Sequence, residues 1–238
     1  MKKLLLLSAL FIFACSSDDN DIINAFDNTQ IFDIDGNLYP LQLIADEVWS
    51  TQNLRTKTYR DGSPIPYVED PVEWENLTTG AWRYVNNDPT TEEKFGLLYN
   101  FYAVNNPKGL SPEGTRIPSY SDFLHLTSFF GAPLAGDTDE EIFLGFLADD
   151  SENPWERNGN TIIGTNVTGF NLYPAGLQRS SISSDLFGFS AFIWSSDAFT
   201  SSDLNPFAAR WTYNGSTFTI GTFSTQNYFG CSVRLIKN

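Results

Sequence analysis

The 238-residue chain carries 14 basic residues, 29 acidic residues and one histidine, a formal net charge of −15. Nucleic acid and anionic membrane surfaces should repel such a chain, and nucleic acid is not expected as a partner. One histidine and two cysteines leave little material for a metal centre or a thiol–imidazole pair.

Lys2 and Lys3 precede an apolar run from Leu4 to Ala14, the layout of a secretory signal peptide. The run falls short of the roughly 20 residues that a membrane-spanning helix needs. Ile12-Phe13-Ala14 ahead of Cys15 resembles a bacterial lipobox, although Phe13 is bulkier than that pattern usually carries. In this reading residues 1–14 are removed and Cys15 becomes a lipid-bearing N-terminus. Palmitate-type acyl chains then anchor it at about 0.8 kcal/mol per buried methylene. A conventional signal peptide cut nearby is the alternative. Removing residues 1–14 takes away two lysines and no acid, leaving 12 basic against 29 acidic residues, a net of −17.

Residues 15–28 read as an acidic tether. Ser16-Ser17-Asp18-Asp19-Asn20 resembles the export signal that follows the lipid cysteine in surface lipoproteins of Bacteroidetes. With Cys15 carrying lipid, Cys231 has no disulfide partner, and its apolar surroundings predict a small buried hydrophobe. No linker and no fixed-period repeat interrupts the remainder, so residues 29–238 are expected to form one domain.

Ile31-Phe32 and Leu38–Ile44 predict strands around an Asp-Gly-Asn turn. Asp33, Asp35 and Asn37 do not make an EF-hand loop: Gly36 falls at its fourth position and Ile44 at its twelfth. A strand through Val48 and Trp49 follows, and turn-rich sequence extends to residue 93. Apolar residues at 97, 98, 101 and 104 predict a helix over 95–105. Ser119 with Asp122 forms a capping box ahead of a second helix. Its buried face is Phe123, Leu126, Phe129 and Phe130, its stop is Gly131, and His125 lies off that face. Residues 138–148 predict a third helix, capped by Thr138 with Glu141. From Asn166 onward the chain reads as short strands and loops. The order is an α+β pattern.

Five segments occur in register: "VWSTQNLRTKTYRDGSPIP", "FGLLYNFYAVNNPKGLSPEGTRIPSYSDFLHL", "TGFNLYPAG", "FIWSSD" and "CSVRLIKN". Together they resemble the Fibrobacter succinogenes major paralogous domain, a family of exported bacterial domains often found on lipoproteins, over residues 29–238. Thr115 stands where the family usually has tryptophan, and residues 132–160 match poorly. The resemblance implies a C-type-lectin-like fold: two or three short helices, a twisted mixed or antiparallel sheet and long loops, with the first strand beside the last. It implies no particular activity. Gly169 and Gly176 are expected in tight turns, and Phe170, Trp194 and Val233 in the core. Arg116 and Arg234 are expected to pin loops by pairing with carboxylates.

The functional expectation is a lipid-anchored, surface-displayed, non-catalytic module of the outer membrane that binds glycan or another extracellular polymer. Trp74, Trp82 and Trp155 fall in predicted loops and are the candidate stacking residues. Calcium-dependent sugar binding is not signalled: Glu-Pro-Asn and Gln-Pro-Asp are absent, and Glu152-Asn153-Pro154 has the wrong order. No catalytic residue, metal ligand or cofactor is assigned. A cysteine-pair oxidase of the sulfatase-modifying type lacks its second cysteine, and no carboxylate pair is singled out for hydrolysis. The alternatives are a structural or assembly lipoprotein bound to another envelope protein and, more remotely, a hydrolase.

Overall fold

A computed structural model describes residues 30–129, 155–157, 160–162, 166–179, 186–198, 206–213 and 218–238. The signal peptide, Cys15, the acidic tether and the expected helix at 138–148 lie outside them. Among the described residues no helix is long and apolar enough to cross a membrane.

The expected hairpin opens the fold. Strand β1 (Gln30–Phe32) pairs antiparallel with β2 (Leu38–Ile44), Phe32 opposite Leu38. The Asp33 carboxylate fixes the turn. It accepts from the Asp35 and Asn37 amides, the Asn37 side chain and the Tyr39 hydroxyl, at 2.6–3.0 Å. Gly36 supplies the positive φ of 83° that the turn needs. Asp35 in turn accepts from the Thr56 hydroxyl and the Lys57 amide at 2.9 and 2.6 Å.

Strand β3 (Glu47–Ser50) pairs with β2 and with β12 (Ile236–Lys237), and β12 pairs with β6 (Thr115–Arg116). The five-stranded order is β1-β2-β3-β12-β6, antiparallel throughout. The last strand therefore lies beside the third rather than the first. A second sheet, β11-β10-β9, contains β9 (Ser190–Ala198), β10 (Pro206–Tyr213) and β11 (Phe218–Ser224). Two short pairs complete the strands: β4 (Trp82–Tyr84) with β5 (Leu97–Tyr99), and β7 (Trp155–Arg157) with β8 (Asn160–Ile162). The helices are α1 (Pro71–Glu75), α2 (Glu92–Phe95), α3 (Phe101–Val104) and α4 (Tyr120–Phe129). The fold is α+β.

The helix expected over 95–105 is broken into helix, strand and helix. Gly96 takes φ 70°, and a Cβ there would come within 2.7 Å of the Asn53 Cβ. That left-handed residue ends α2 and turns Leu97–Tyr99 into a strand beside β4. Asn100 then caps the N-terminus of α3 through its side chain. Helix α4 follows the expectation more closely. Ser119 and Asp122 bond reciprocally at its start, and Phe123 and Leu126 are buried. Phe129 is exposed, so the apolar face stops a turn early. His125 is exposed, 3.8 Å from the Asp46 carboxylate.

Two core clusters lie on opposite faces of the second sheet. Phe192 and Trp194 belong to one, with Tyr39, Leu54, Tyr99, Cys231 and Val233. Ala191 and Ile193 belong to the other, with Trp49, Phe123, Trp155 and Phe170. Alternation along β9 divides its side chains between the two. Cys231 is fully buried, and burial pushes its thiol pKa well up, so it packs as a hydrophobe.

Two arginines pin loops by different means. Arg116 meets the Asp122 carboxylate at 2.9 Å, as expected. Burial works against the Asp122 charge, but Arg116 and Ser119 hold its pKa below the usual carboxylate value. Arg234 pairs with no carboxylate among the described residues. Its buried guanidinium donates to the Asn53 Oδ1 at 2.6 Å, to the Ser50 and Phe170 carbonyls at 2.7 Å and to the Asn171 carbonyl. It also lies 4.7 Å from the Phe170 ring centre. Neutral oxygens only partly replace water, and burial lowers its pKa to about 10.

Candidate functional site

Each of the three candidate tryptophans is buried. Trp74 and Trp155 have no exposed surface and Trp82 retains 6%. The expectation that they lie open in loops does not hold, because Trp74, Trp82 and Trp155 sit in α1, β4 and β7 and face the core. Trp74 sits in α1, a five-residue helix capped by Asp70. Its indole N–H donates to the Tyr228 carbonyl at 2.6 Å and the Arg83 guanidinium lies 5.6 Å from its ring centre. Trp155 is part of the cluster around Trp49 and Phe170. Neither offers a face to a ligand, and the structure does not bring the three together.

Trp82 lies directly beneath an exposed aromatic surface. Its indole N–H donates to the Ile65 carbonyl at 2.9 Å, which fixes the ring. Tyr67, on the loop that pairs with Trp82 through an isolated parallel bridge, covers it with ring centres 4.7 Å apart. Tyr84 is two residues along β4 and so shares the face of Trp82. It meets the other two rings edge-on, 5.2 Å from Trp82 and 5.5 Å from Tyr67. Tyr67 is 43% exposed and Tyr84 is half-buried, so tyrosines form the outer layer and tryptophan the support.

Charge and amide groups border the rings. The Lys57 ammonium lies 5.1 Å from the Trp82 ring centre and 5.5 Å from that of Tyr84. It pairs with the Glu92 carboxylate at 2.8 Å. Partial burial disfavours the charge of Lys57, but the bond to Glu92 holds its pKa above the ordinary value. Glu69 accepts from the Asn87 amide at 3.0 Å. Burial and the nearby Glu69 charge together raise the Tyr67 pKa. An open cleft of about 390 Å³ beside Glu92 is lined by Arg55, Pro89, Thr90 and Glu93. The arrangement can stack an apolar face while offering donors and acceptors at its rim. Among the described residues no group of three or more His, Cys, Asp or Glu side chains could hold a metal ion.

Sequence reasoning missed Tyr67, Tyr84, Lys57 and Glu92. Part of the signal was present, since Trp82 and Tyr84 stand two apart in a strand-like "WRY" and share a face. Tyr67 and Lys57 reach that face from a loop 15 or more residues upstream, a placement that no local pattern announces.

The sequence profile of the Fibrobacter succinogenes major domain matches residues 43–237. The chain belongs to that family. No curated protein and no solved structure matches it. The match begins inside β2, so the hairpin and the Asp33 turn precede the family's shared segment. Every residue of the aromatic patch lies within it.

Proposed function

We propose that this protein is a lipid-anchored, non-catalytic module that binds glycan or another extracellular polymer, displayed on the outer membrane through Cys15. The observation that carries the reading is the Tyr67–Trp82–Tyr84 surface beside the Lys57–Glu92 pair. Sugars present apolar C–H faces to aromatic rings and hydroxyls to charged and amide groups, and this surface supplies both. A C-type-lectin-like scaffold belongs to the same proposal. Its support is the α+β order and the sheet that sets the C-terminal β12 against β3, near the start of the folded chain. Binding by this surface needs no calcium.

A glycan array probed with the full-length protein in detergent, with calcium and again with chelator, tests the reading. Binding in both conditions is expected. Tyr67→Ala should weaken it tenfold or more, about 1.4 kcal/mol, without lowering the melting temperature. A blank array from a folded sample refutes the glycan reading. So does binding that Tyr67→Ala leaves intact, as far as this surface is concerned.

A second reading, a structural or assembly lipoprotein seated on another envelope protein, has its own observation. Phe32, Ile34 and Leu38 are exposed around β1, which among the described residues pairs with β2 alone. Crosslinking on whole cells tests it, and capture reduced by Phe32→Asp would favour it over the glycan reading.

A further inference from the structure

A cleft of about 350 Å³ opens between the loop Thr78–Gly80, the end of α3 and Asn227. Its size falls within the range of small-molecule sites, roughly 300–1,000 Å³. Its walls are held by one buried side chain. Asn100 accepts from the Ala81 and Ala103 amides at 3.0 Å each and donates to the Thr79 carbonyl at 2.8 Å, tying the loop to the helix. The contact is too close for any side chain at Gly80, where a Cβ would lie 2.0 Å from the Tyr59 hydroxyl and 2.9 Å from the Ala103 Cα. Asn227 joins from the other side, its carbonyl accepting from the Phe101 amide at 2.9 Å. The cleft is therefore preformed.

The polar groups at its mouth are uncommitted. Asn100 and Asn106 spend their side chains inside the protein. The side chains of Asn105, Asn227, Thr78, Thr79 and Tyr102 make no hydrogen bond to any described residue. They are exposed or half-buried, and so within reach of a ligand. Among the described residues no Asp, Glu, Lys or Arg lines the cleft, in a chain with 29 acids and 14 bases. A charged ligand would find no counter-charge, and an anion would also meet the net negative field. Amides and hydroxyls that can both donate and accept match a ligand whose groups do the same, and vicinal sugar hydroxyls are of that kind.

We propose that this cleft is a second ligand site, which binds an uncharged sugar unit through hydrogen bonds to Asn105, Asn227 and the Thr78–Thr79 hydroxyls. It extends the glycan-binding reading to a surface that shares no residue with the Tyr67 patch. Asn106 and Tyr59 act as positioning residues behind the wall.

The test follows the side-chain amide signals of Asn105 and Asn227 by heteronuclear NMR on the full chain in detergent. The probes are glucose, galactose, mannose and N-acetylglucosamine, with the uncharged peptide N-acetyl-Gly-Ser-Gly-amide as a comparison. Saturable shifts of both amides with at least one sugar are expected. Loss of that sugar's binding is expected in Asn105→Ala/Asn227→Ala, and its retention in Tyr67→Ala. Neither asparagine side chain bonds to a described residue, so the double variant should melt with the parent protein; Thr79→Val supplies an independent variant. The inference is overturned if no sugar gives a saturable shift, if the shifts survive in the double variant, or if the peptide binds in place of every sugar. Loss of array binding in Tyr67→Ala with silent cleft amides refutes this inference alone. Shifted cleft amides with an indifferent Tyr67→Ala refute the aromatic patch alone.

Discussion

Replacing Arg234 by lysine is the sharpest perturbation of this fold. The arginine is buried, carries charge, and faces four neutral acceptors and an aromatic ring. Its pKa, lowered by burial from 12.5 to about 10, means that the charged form is less favourable in place than in water by about 3 kcal/mol. The four acceptors offset most of the cost of burying an ion, and they do so through a fork that fixes all four at once. A lysine keeps the charge and lacks the fork. It reaches one or two of the acceptors and strands the rest, each at about 1–3 kcal/mol. Arg234→Lys should therefore cost about 3–5 kcal/mol, a large share of the roughly 5–15 kcal/mol by which domains are stable. The assay is urea unfolding at pH 7, read as a lower midpoint with an unchanged slope. The same burial pushes the lysine pKa down from about 10.4. A folded state that holds fewer protons than the unfolded one gains stability as pH rises, so the deficit should shrink between pH 7 and pH 9. If Arg234→Lys is within about 1 kcal/mol of the parent, or Arg234→Met is more stable than the parent, the four hydrogen bonds are not what holds this region.

Three further outcomes are expected. Asn100→Ala removes the cap of α3 and strands the buried Ala81 amide, and should cost about 2–4 kcal/mol by the same urea assay. Asp122→Ala removes the α4 cap and the Arg116 pair, costing about 1–2 kcal/mol near pH 7. Because the folded pKa of Asp122 is depressed, its contribution is present above pH 3.8 and lost as pH falls through the folded value. Parent and variant should converge at low pH, and a constant gap down to acid unfolding would contradict the assignment. Burial raises the pKa of Tyr39 and of Tyr99, and the Asp33 charge adds to both. Groups raised in the folded state contribute below their unfolded pKa of 10 and lose that contribution above it. The melting temperature should fall above pH 10, and Tyr39→Phe should fall less steeply.

Local signals in the sequence carried the local structure. The turn at Asp33, the capping box at Ser119 and the burial of Cys231 follow from chemistry within a few residues. The helix expected at 95–105 fails at Gly96, whose positive φ is imposed by close approach to Asn53, a residue more than 40 positions away. Arg234 was expected to find a carboxylate, as charged residues commonly do. Its acceptors are three backbone carbonyls and one amide brought from residues 50–53 and 170–171, and carbonyls leave no mark in a sequence. The family was legible because five motifs kept their order. The site was not, because its groups come from separate loops.

The burial of the tryptophans bears directly on where binding chemistry can reside. Short helices and strands of two to ten residues cannot bury enough surface with small side chains, so the fold uses its largest rings as fillers. Trp49, Trp74, Trp155 and Trp194 are all within 1% of complete burial. In the proposed glycan-binding reading, recognition then falls to tyrosine and asparagine, which can sit at an edge with one end packed and one end wet. Tyr67 over Trp82 is one such edge, and the cleft mouth at Asn105 and Asn227 is another. In the first the buried ring supports the exposed one, and in the second buried Asn100 ties the Thr79 loop to α3, which forms the cleft wall. Changing the buried member should therefore disturb the fold and the site together, while changing the exposed member should alter binding alone. Trp82→Phe against Tyr67→Ala, and Asn100→Ala against Asn105→Ala, separate the two effects when melting and ligand binding are measured on the same samples. If Tyr67→Ala or Asn105→Ala lowers the melting temperature as much as its buried partner does, the exposed residues belong to the scaffold, and binding must be sought elsewhere on the surface.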